Sequence, residues 1–146
     1  MPRRLRVLLI DDSVCDAKLT SRWLQESELI DEIQVVDSGE QGLEILGCCR
    51  EGSPRRPIDL ALIDVNLPRM SGFDVLAEMK ADPQLAAIPV IMQSSSAFHE
   101  DLQRAERLQA NLYLTKPSDA DEFAAYVKTI EEFWDEFSRG TALSDG

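Results

Sequence analysis

The sequence is poor in histidine, cysteine and aromatic residues, and it has no long apolar segment. One of its 146 residues is histidine and three are cysteine, so the histidine and cysteine sets that usually hold zinc cannot be assembled. Cys48 and Cys49 are adjacent and Cys15 stands alone, a usage typical of reduced cytoplasmic thiols rather than of a disulfide framework. The apolar runs Val7–Ile10 and Leu60–Ile63 are too short to cross a membrane or to serve as a secretion signal. We therefore predict a cytoplasmic protein without a membrane segment.

Positive charge is also scarce. The chain carries 15 lysine and arginine residues against 27 aspartate and glutamate residues, which gives a net charge of −12. Such a surface repels nucleic acid backbones and anionic lipid headgroups, so we expect neither a nucleic acid nor a membrane as partner. The basic cluster Arg3, Arg4 and Arg6 is interpreted as a solvated tail. The length and the hydrophobic share of 44% are typical of one globular domain with its own core.

What the chain does contain is a regular alternation of apolar runs and segments with helical spacing. Continuous apolar strands are typical of parallel sheets that are buried on both faces, and an alternation of strands and helices gives such a sheet with right-handed crossovers. We therefore predict an α/β fold with a doubly wound five-stranded parallel sheet. The predicted strands are Leu5–Ile10, Ile33–Val36, Leu60–Ile63, Val90–Met92 and Leu112–Thr115, and the predicted helices are Asp16–Glu28, Gly39–Leu46, Gly72–Lys80, Glu100–Leu108 and Asp119–Phe137.

Reactive side chains stand where four of these strands end. The first strand is followed by Asp11 and Asp12, the third by Asp64, the fourth by Ser94 and the fifth by Lys116. The carboxyl ends of parallel strands share one edge of the sheet, where ligands bind in doubly wound folds. Three carboxylates with no histidine or cysteine beside them suit Mg²⁺, and the lysine adds a second positive charge. These parts fit phosphoryl transfer, in which metal and lysine neutralise phosphate oxygens and a carboxylate acts as the nucleophile.

The motifs at these strand ends resemble those of the receiver domain of two-component response regulators, the CheY-like fold. The resemblance extends from Arg4 to Phe137 and implies the strand order 2-1-3-4-5. The spacing also suits the family, because Ser94 lies 30 residues after Asp64 and Lys116 lies 22 residues after Ser94. The matching segments are the Asp11-Asp12 pair, Leu62–Pro68, Gly72 at the start of a helix, Pro89–Ser94 and Tyr113–Pro117.

The resemblance implies a role for each of these residues. Asp64 would accept a phosphoryl group from a phosphohistidine of a sensor histidine kinase, and Lys116 would pair first with Asp64 and then with the phosphoryl group. Ser94 would bond to a phosphoryl oxygen, and Tyr113 would turn inward behind it. The cofactor would be Mg²⁺, coordinated by Asp12, Asp64 and the backbone carbonyl of Asn66, with Asp11 contributing to the metal site through a water molecule.

Within the family, the chain is similar to single-domain regulators that partner phytochrome-type histidine kinases. It shares with them a long loop, the Asn66–Pro68 and Thr115–Pro117 segments, and Phe133-Trp134 in the last helix. The resemblance implies no enzyme activity beyond self-phosphorylation and self-dephosphorylation, and a cis Lys116–Pro117 bond. We predict a receiver domain over residues 1–140 and a short C-terminal tail over residues 141–146.

Three features depart from the usual family pattern. The loop Gly47–Pro57 is long, Gln93 replaces an aliphatic residue before Ser94, and Gln109 stands where many members have glycine. None of these changes removes a reacting group. The alternative function, a pseudo-receiver that acts as a phosphorylation-independent interaction module, would normally be marked by a lost aspartate or lysine.

The last predicted helix carries an apolar stripe with a period of 3.5 residues. Packing against the sheet explains most such stripes, and the first part of this one fits that role. The rings near the end of the helix are expected to be exposed on a monomer, and clustered exposed rings are typical of interfaces. We therefore predict a homodimer through this helix. The stripe consists of Phe123, Val127, Ile130, Trp134 and Phe137, with Phe133 beside it.

Overall fold

The computed structural model describes residues 4–48, 57–95 and 99–145, and the chain divides into two compact units after Lys116. Five strands alternate with five helices along these residues. The strands are β1 (Leu5–Ile10), β2 (Ile30–Val36), β3 (Leu60–Asp64), β4 (Val90–Ser94) and β5 (Leu112–Thr115), and the helices are α1 (Val14–Gln25), α2 (Gly39–Cys48), α3 (Gly72–Ala81), α4 (His99–Arg107) and α5 (Ala120–Asp145).

Most element boundaries lie close to the predicted ones, with three larger differences. The helix α1 ends at Gln25 rather than at Glu28. The strand β2 begins at Ile30 rather than Ile33, and α5 continues past Phe137 to Asp145. The helix α2 includes Gly47 and Cys48, which were predicted as loop. The rest of that predicted loop, residues 49–56, lies outside the described residues.

The strands form one parallel sheet in the order β2-β1-β3-β4-β5, which confirms the predicted fold. Every residue of β1, β3 and β4 is buried, as continuous apolar central strands require. Because all strands run the same way, the residues that follow β1, β3, β4 and β5 lie at one edge of the sheet.

The main core lies between one face of the sheet and the helices α2, α3 and α4. Alternate residues of the central strands, such as Leu8 and Ile10 in β1 and Ile63 in β3, pack there against Leu46 of α2 and Leu76 of α3. This packing fixes the start of each helix relative to the strand that precedes it.

The strand β2 lies at one edge of the sheet and carries exposed charges. Arg4, just before β1, lies 3.7 Å from the carboxylate of Asp31. Arg6, within β1, lies 3.5 Å from the carboxylate of Glu32. Arg6 is only 7% exposed. The interpretation of the basic cluster as a solvated tail is therefore wrong for Arg4 and Arg6, because parallel pairing of β1 with β2 brings the two acids beside them; Arg3 lies outside the described residues.

The first half of α5 buries three residues. Phe123, Tyr126 and Ile130 are 6%, 5% and 1% exposed, whereas Val127 is partly exposed. The predicted stripe therefore included Val127 but missed Tyr126, whose ring packs edge-on against Phe123 at 6.5 Å. Among the described helices, α5 included, none is long and apolar enough to cross a membrane.

The aromatic residues in the second half of α5 stack on one another. The ring centroids of Phe133 and Phe137 lie 5.7 Å apart, and those of Trp134 and Phe137 lie 5.5 Å apart. All three side chains are partly buried. The three rings were predicted to be exposed on a monomer, but they are only partly exposed, because each ring covers part of its neighbours.

Candidate functional site

Three predicted carboxylates meet at the edge of the sheet. Asp11 and Asp12 follow β1, Asp64 ends β3, and one carboxylate oxygen of each lies within 4.8 Å of the others. Asp11 and Asp64 are 1% and 4% exposed, and Asp12 is exposed. These residues, called the acid cluster below, offer a divalent cation hard oxygen ligands from a buried floor and an open side.

Two tight turns hold the buried carboxylates. Asp11 Oδ1 accepts a hydrogen bond from the backbone N–H of Ser13 at 2.9 Å, and Asp64 Oδ1 accepts one from the N–H of Asn66 at 3.0 Å. In each residue this leaves the other oxygen, Oδ2, to make different contacts. Ser13 is also the N-cap of α1, where its Oγ accepts from the N–H of Asp16 at 3.3 Å.

The start of α3 is pressed against the backbone of Asp64. The N–H of Gly72 donates to the carbonyl of Val65 at 3.0 Å. A Cβ at position 72 would lie 2.2 Å from the carbonyl oxygen of Asp64, so the position needs glycine for its close approach. Ser71 and Asp74 form a capping box that fixes this end of the helix.

Lys116 follows β5 and reaches three carboxylates. Its Nζ lies 2.7 Å from Asp64 Oδ2, 3.0 Å from Asp11 Oδ2 and 3.2 Å from Asp16 Oδ2. The expected cis bond after Lys116 is wrong: the described residues contain no cis peptide bond, in keeping with the trans preference of ordinary X–Pro bonds.

Sequence reasoning missed Asp16 as a partner of Lys116. The sequence pattern marks Asp16 only as the start of a predicted helix, yet α1 begins at the edge where β1 ends. An acidic residue in the first turn of such a helix necessarily lies near the strand ends, and this was the available signal.

Burial and charge act against each other in this cluster. Burial raises the pKa of the Asp11 carboxyl above its usual value, although a hydrogen bond from Ser13 and the contact with Lys116 oppose the shift. Burial also disfavours the charge on Lys116, but the hydrogen bond to Asp64 and the ion pair with Asp11 outweigh this effect and raise the pKa of the ammonium. The lysine is therefore charged throughout the physiological range and partly neutralises the acid cluster.

Ser94 and Tyr113 lie on the paired strands β4 and β5. Ser94 is fully buried at the end of β4, and its Oγ lies 3.5 Å from the side-chain Nδ2 of Asn66. Burial raises the pKa of Tyr113, and a hydrogen bond between its phenol and the Ser94 side chain opposes that shift. The backbone N–H of Lys116 donates to the Ser94 carbonyl at 2.8 Å, which ties the ends of β4 and β5 together.

The two unusual glutamines occupy well-defined positions. Gln93 is 1% exposed, and its backbone carbonyl accepts a hydrogen bond from the N–H of Val65 at 2.9 Å. Gln109 has a φ of 66°, the left-handed region that favours glycine, and the N–H of Ala110 closes the end of α4 on the carbonyl of Ala105 at 2.9 Å. Gln109 thus adopts, at the end of α4, the left-handed conformation that explains why many family members have glycine at this position.

The structure thus brings together the predicted residues Asp11, Asp12, Asp64, Lys116, Ser94 and Tyr113, and it adds Asp16. The side chain of Asn66 is exposed on the turn after Asp64. A doubly wound sheet with buried aspartates, a paired lysine and a buried serine at its carboxyl edge places the chain in the class of doubly wound α/β domains with an acidic site at the strand ends.

Comparison with known proteins agrees with this class. Residues 7–128 match the response regulator receiver domain family. The chain is 35% identical over 130 residues to the response regulator Rcp1 of Synechocystis, covering 88% of this chain and 87% of that protein. The crystal structure of the phosphorylated cyanobacterial phytochrome response regulator RcpA matches with a TM-score of 0.80 and 34% identity, covering 90% of this chain and 94% of that one. The Mn²⁺-bound form of Rcp1 matches with a TM-score of 0.75 and 34% identity, covering 89% and 94%.

The chain belongs to the response regulator receiver domain family, the signalling domains of two-component systems. Its similarity to phytochrome response regulators confirms the predicted subgroup.

Proposed function

We propose that the protein is a phosphorylation-switched response regulator whose phosphoacceptor is Asp64. The observation that carries this proposal is the position of Asp64, whose Oδ2 lies 2.7 Å from Lys116 inside the acid cluster. A carboxylate oxygen of Asp64 forms a bond to phosphorus while the phosphorus–nitrogen bond of a kinase phosphohistidine breaks. The imidazole leaves with that electron pair and takes up a proton, and Lys116 neutralises charge on the phosphoryl oxygens.

The donor set of the acid cluster fits Mg²⁺. Asp11, Asp12 and Asp64 offer carboxylate oxygens that already lie together, and we propose the backbone carbonyl of Asn66 as a fourth ligand. When bound, the metal would neutralise charge on the transferring phosphoryl group. The Mn²⁺-bound form of Rcp1 supports a divalent cation in this fold.

Ser94 and Tyr113 are the proposed switch. Ser94 is fully buried and hydrogen-bonded with the Tyr113 phenol, so a new partner for Ser94 at the phosphoryl group disturbs the bond to Tyr113. The differential interaction of the phosphoryl group with the two arrangements biases the equilibrium between them. Apart from self-phosphorylation and self-dephosphorylation we propose no enzyme activity.

Incubation with a small phosphodonor and Mg²⁺, followed by intact mass, tests the phosphoacceptor. Wild type should gain one phosphoryl group and Asp64→Asn should gain none. Asp37→Asn is the matched control, because Asp37 follows β2 and lies outside the acid cluster. Asp64→Asn that gains phosphate at the wild-type rate would reject the assignment. Wild type that gains none would favour the pseudo-receiver.

The proposed donor is a phytochrome-type histidine kinase in the cytoplasm, and the proposed receiver domain spans residues 1–140 with a tail over 141–146. The support is the similarity to RcpA, a phytochrome response regulator. Phosphotransfer from each purified histidine kinase of the same genome tests it. Fastest transfer from a kinase without a phytochrome sensor would contradict this choice of partner.

We also propose that the protein forms a homodimer through α5. The supporting feature is the aromatic stack of Phe133, Trp134 and Phe137, which stays partly exposed and is bordered by the exposed acids Glu132 and Glu136. Light scattering should give twice the monomer mass, and Trp134→Glu should give the monomer mass while Asp64 is still phosphorylated. A wild-type monomer at micromolar concentration, with and without phosphorylation, would refute the dimer.

A further inference from the structure

Asp16 contacts the lysine of the site without belonging to the acid cluster. Its Oδ2 lies 3.2 Å from Lys116 Nζ, although the two residues are 100 positions apart in the chain. Of the described carboxylates that contact Lys116, the other two, Asp11 and Asp64, are both candidate metal ligands.

The three contacts match the chemistry of an ammonium group. An ammonium has three N–H donors. Lys116 donates hydrogen bonds to Asp64 at the end of β3 and to Asp16 in the first turn of α1, and it forms an ion pair with Asp11 after β1. Three acceptors on three separate elements fix the position of the nitrogen better than one ion pair does. The side chain of Asp16 is 49% exposed, whereas those of Asp11 and Asp64 are 0% and 6% exposed, so Asp16 is the outermost of the three.

Asp16 itself is held in place. Its backbone N–H donates to the N-cap Ser13, and the N–H of Ser13 donates to Asp11. The chain from Asp11 to Asp16 is therefore one capped turn that carries a buried acceptor at one end and an exposed acceptor at the other.

A cation bound in the acid cluster changes the balance of these contacts. The cation would attract the carboxylates of Asp11 and Asp64, which weakens their attraction for Lys116. It would also repel the Lys116 ammonium. Asp16 lies outside the acid cluster, so its carboxylate stays available to the lysine.

We propose that Asp16 is a positioning residue that keeps Lys116 at the site when metal and phosphoryl group occupy the acid cluster. This inference rests on the proposed phosphoryl transfer to Asp64. Asp16 acts through Lys116 and makes no contact with the reacting atoms.

The test compares Asp16→Asn with Asp37→Asn, which removes the same charge from the same edge of the sheet without a contact to Lys116. At saturating Mg²⁺ and phosphodonor, Asp16→Asn should slow phosphorylation by about tenfold, because a misplaced charge-stabilising group costs rate. Asp37→Asn should stay within about twofold of wild type, and Asp16→Glu, which keeps the charge on a longer arm, should recover part of the rate.

The NMR signal of the Lys116 ammonium supplies a readout that a merely structural role would not change. In the presence of Mg²⁺, a slowly exchanging ¹⁵Nζ signal should be visible in wild type and Asp37→Asn and broadened in Asp16→Asn. A wild-type rate and a wild-type signal in Asp16→Asn would overturn the inference. If wild type gains no phosphate, the proposed function fails, and the lysine signal with Mg²⁺ alone still decides whether Asp16 positions Lys116.

Discussion

A single added methyl group at Gly72 should destabilise the protein through the backbone of Asp64, the proposed phosphoacceptor. The Cβ of Gly72→Ala would lie 2.2 Å from the carbonyl oxygen and 2.9 Å from the carbonyl carbon of Asp64. Both atoms are main chain in a fully buried strand, so no side-chain rotation relieves the contact. The start of α3 and the end of β3 must separate by about 1 Å before the contact is tolerable.

The magnitude follows from the cost of overpacking. Extra methylenes in a packed core cost about 1–3 kcal/mol of stability. The cost of a contact with main-chain atoms lies at the upper end of this range, because main chain cannot move aside as a side chain can. We expect Gly72→Ala to lower the free energy of unfolding by about 3 kcal/mol, well above the gain of up to about 1 kcal/mol that alanine brings as a better helix former. With a typical urea dependence of about 2 kcal/mol per molar, the unfolding midpoint should fall by roughly 1.5 M.

The matched control is Gly140→Ala. Gly140 lies in α5, and a Cβ there would meet nothing within 4 Å. The same substitution should therefore raise stability by up to about 1 kcal/mol through helix propensity alone. Urea unfolding followed by circular dichroism measures both variants. If Gly72→Ala unfolds at or above the wild-type midpoint, the close approach of α3 to Asp64 does not limit this position.

Further predictions concern the end of α4, the metal and the switch. Gln109→Gly should raise the free energy of unfolding by about 1 kcal/mol, because glycine adopts the left-handed conformation without strain; a lower urea midpoint would contradict this. Mg²⁺ affinity should be constant at neutral pH and fall as pH drops through the pKa of Asp11, which burial raises, so the loss begins above the pH expected for an ordinary aspartate. Fluorescence titrations at several pH values measure it, and an unchanged affinity in Asp12→Ala would reject the acid cluster as the site. Ser94→Ala should abolish the NMR changes that a beryllofluoride mimic causes at Tyr113; their persistence would remove Ser94 from the switch.

Much of the candidate site could be predicted because its residues sit where strands end. A parallel sheet gathers those ends at one edge, so an apolar run followed by Asp11, Asp64 or Lys116 is enough to place the residue. Asp16 could not be placed in this way. Its contact with Lys116 depends on the rotation of α1 about its axis, which is set by the Ser13 cap and by core packing rather than by the strand pattern.

The fully buried central strands could be predicted from the sequence, whereas the edge strand β2 and the helix α5 were predicted less accurately. The central strands are buried along their whole length and their apolar runs mark them clearly. The start of β2 was missed because Asp31 and Glu32 are charged, which an edge strand tolerates. In α5 a strict period of 3.5 selected Val127, whereas the buried position next to Phe123 belongs to Tyr126.

The charged edge of the sheet bears on how a signalling protein avoids unwanted aggregation. An edge strand presents unpaired main-chain groups to which another strand can add, and such growth is open-ended. In β2, Asp31 and Glu32 are exposed on that edge, so a second copy would bring like charges together in both antiparallel and parallel additions. The arginines that form ion pairs with these acids, Arg4 and Arg6, lie at the start of the neighbouring strand β1 of the same chain. The same acids therefore serve two purposes: they hold the start of β1 against β2 through the arginines, and their exposed charge makes the addition of a foreign strand unfavourable.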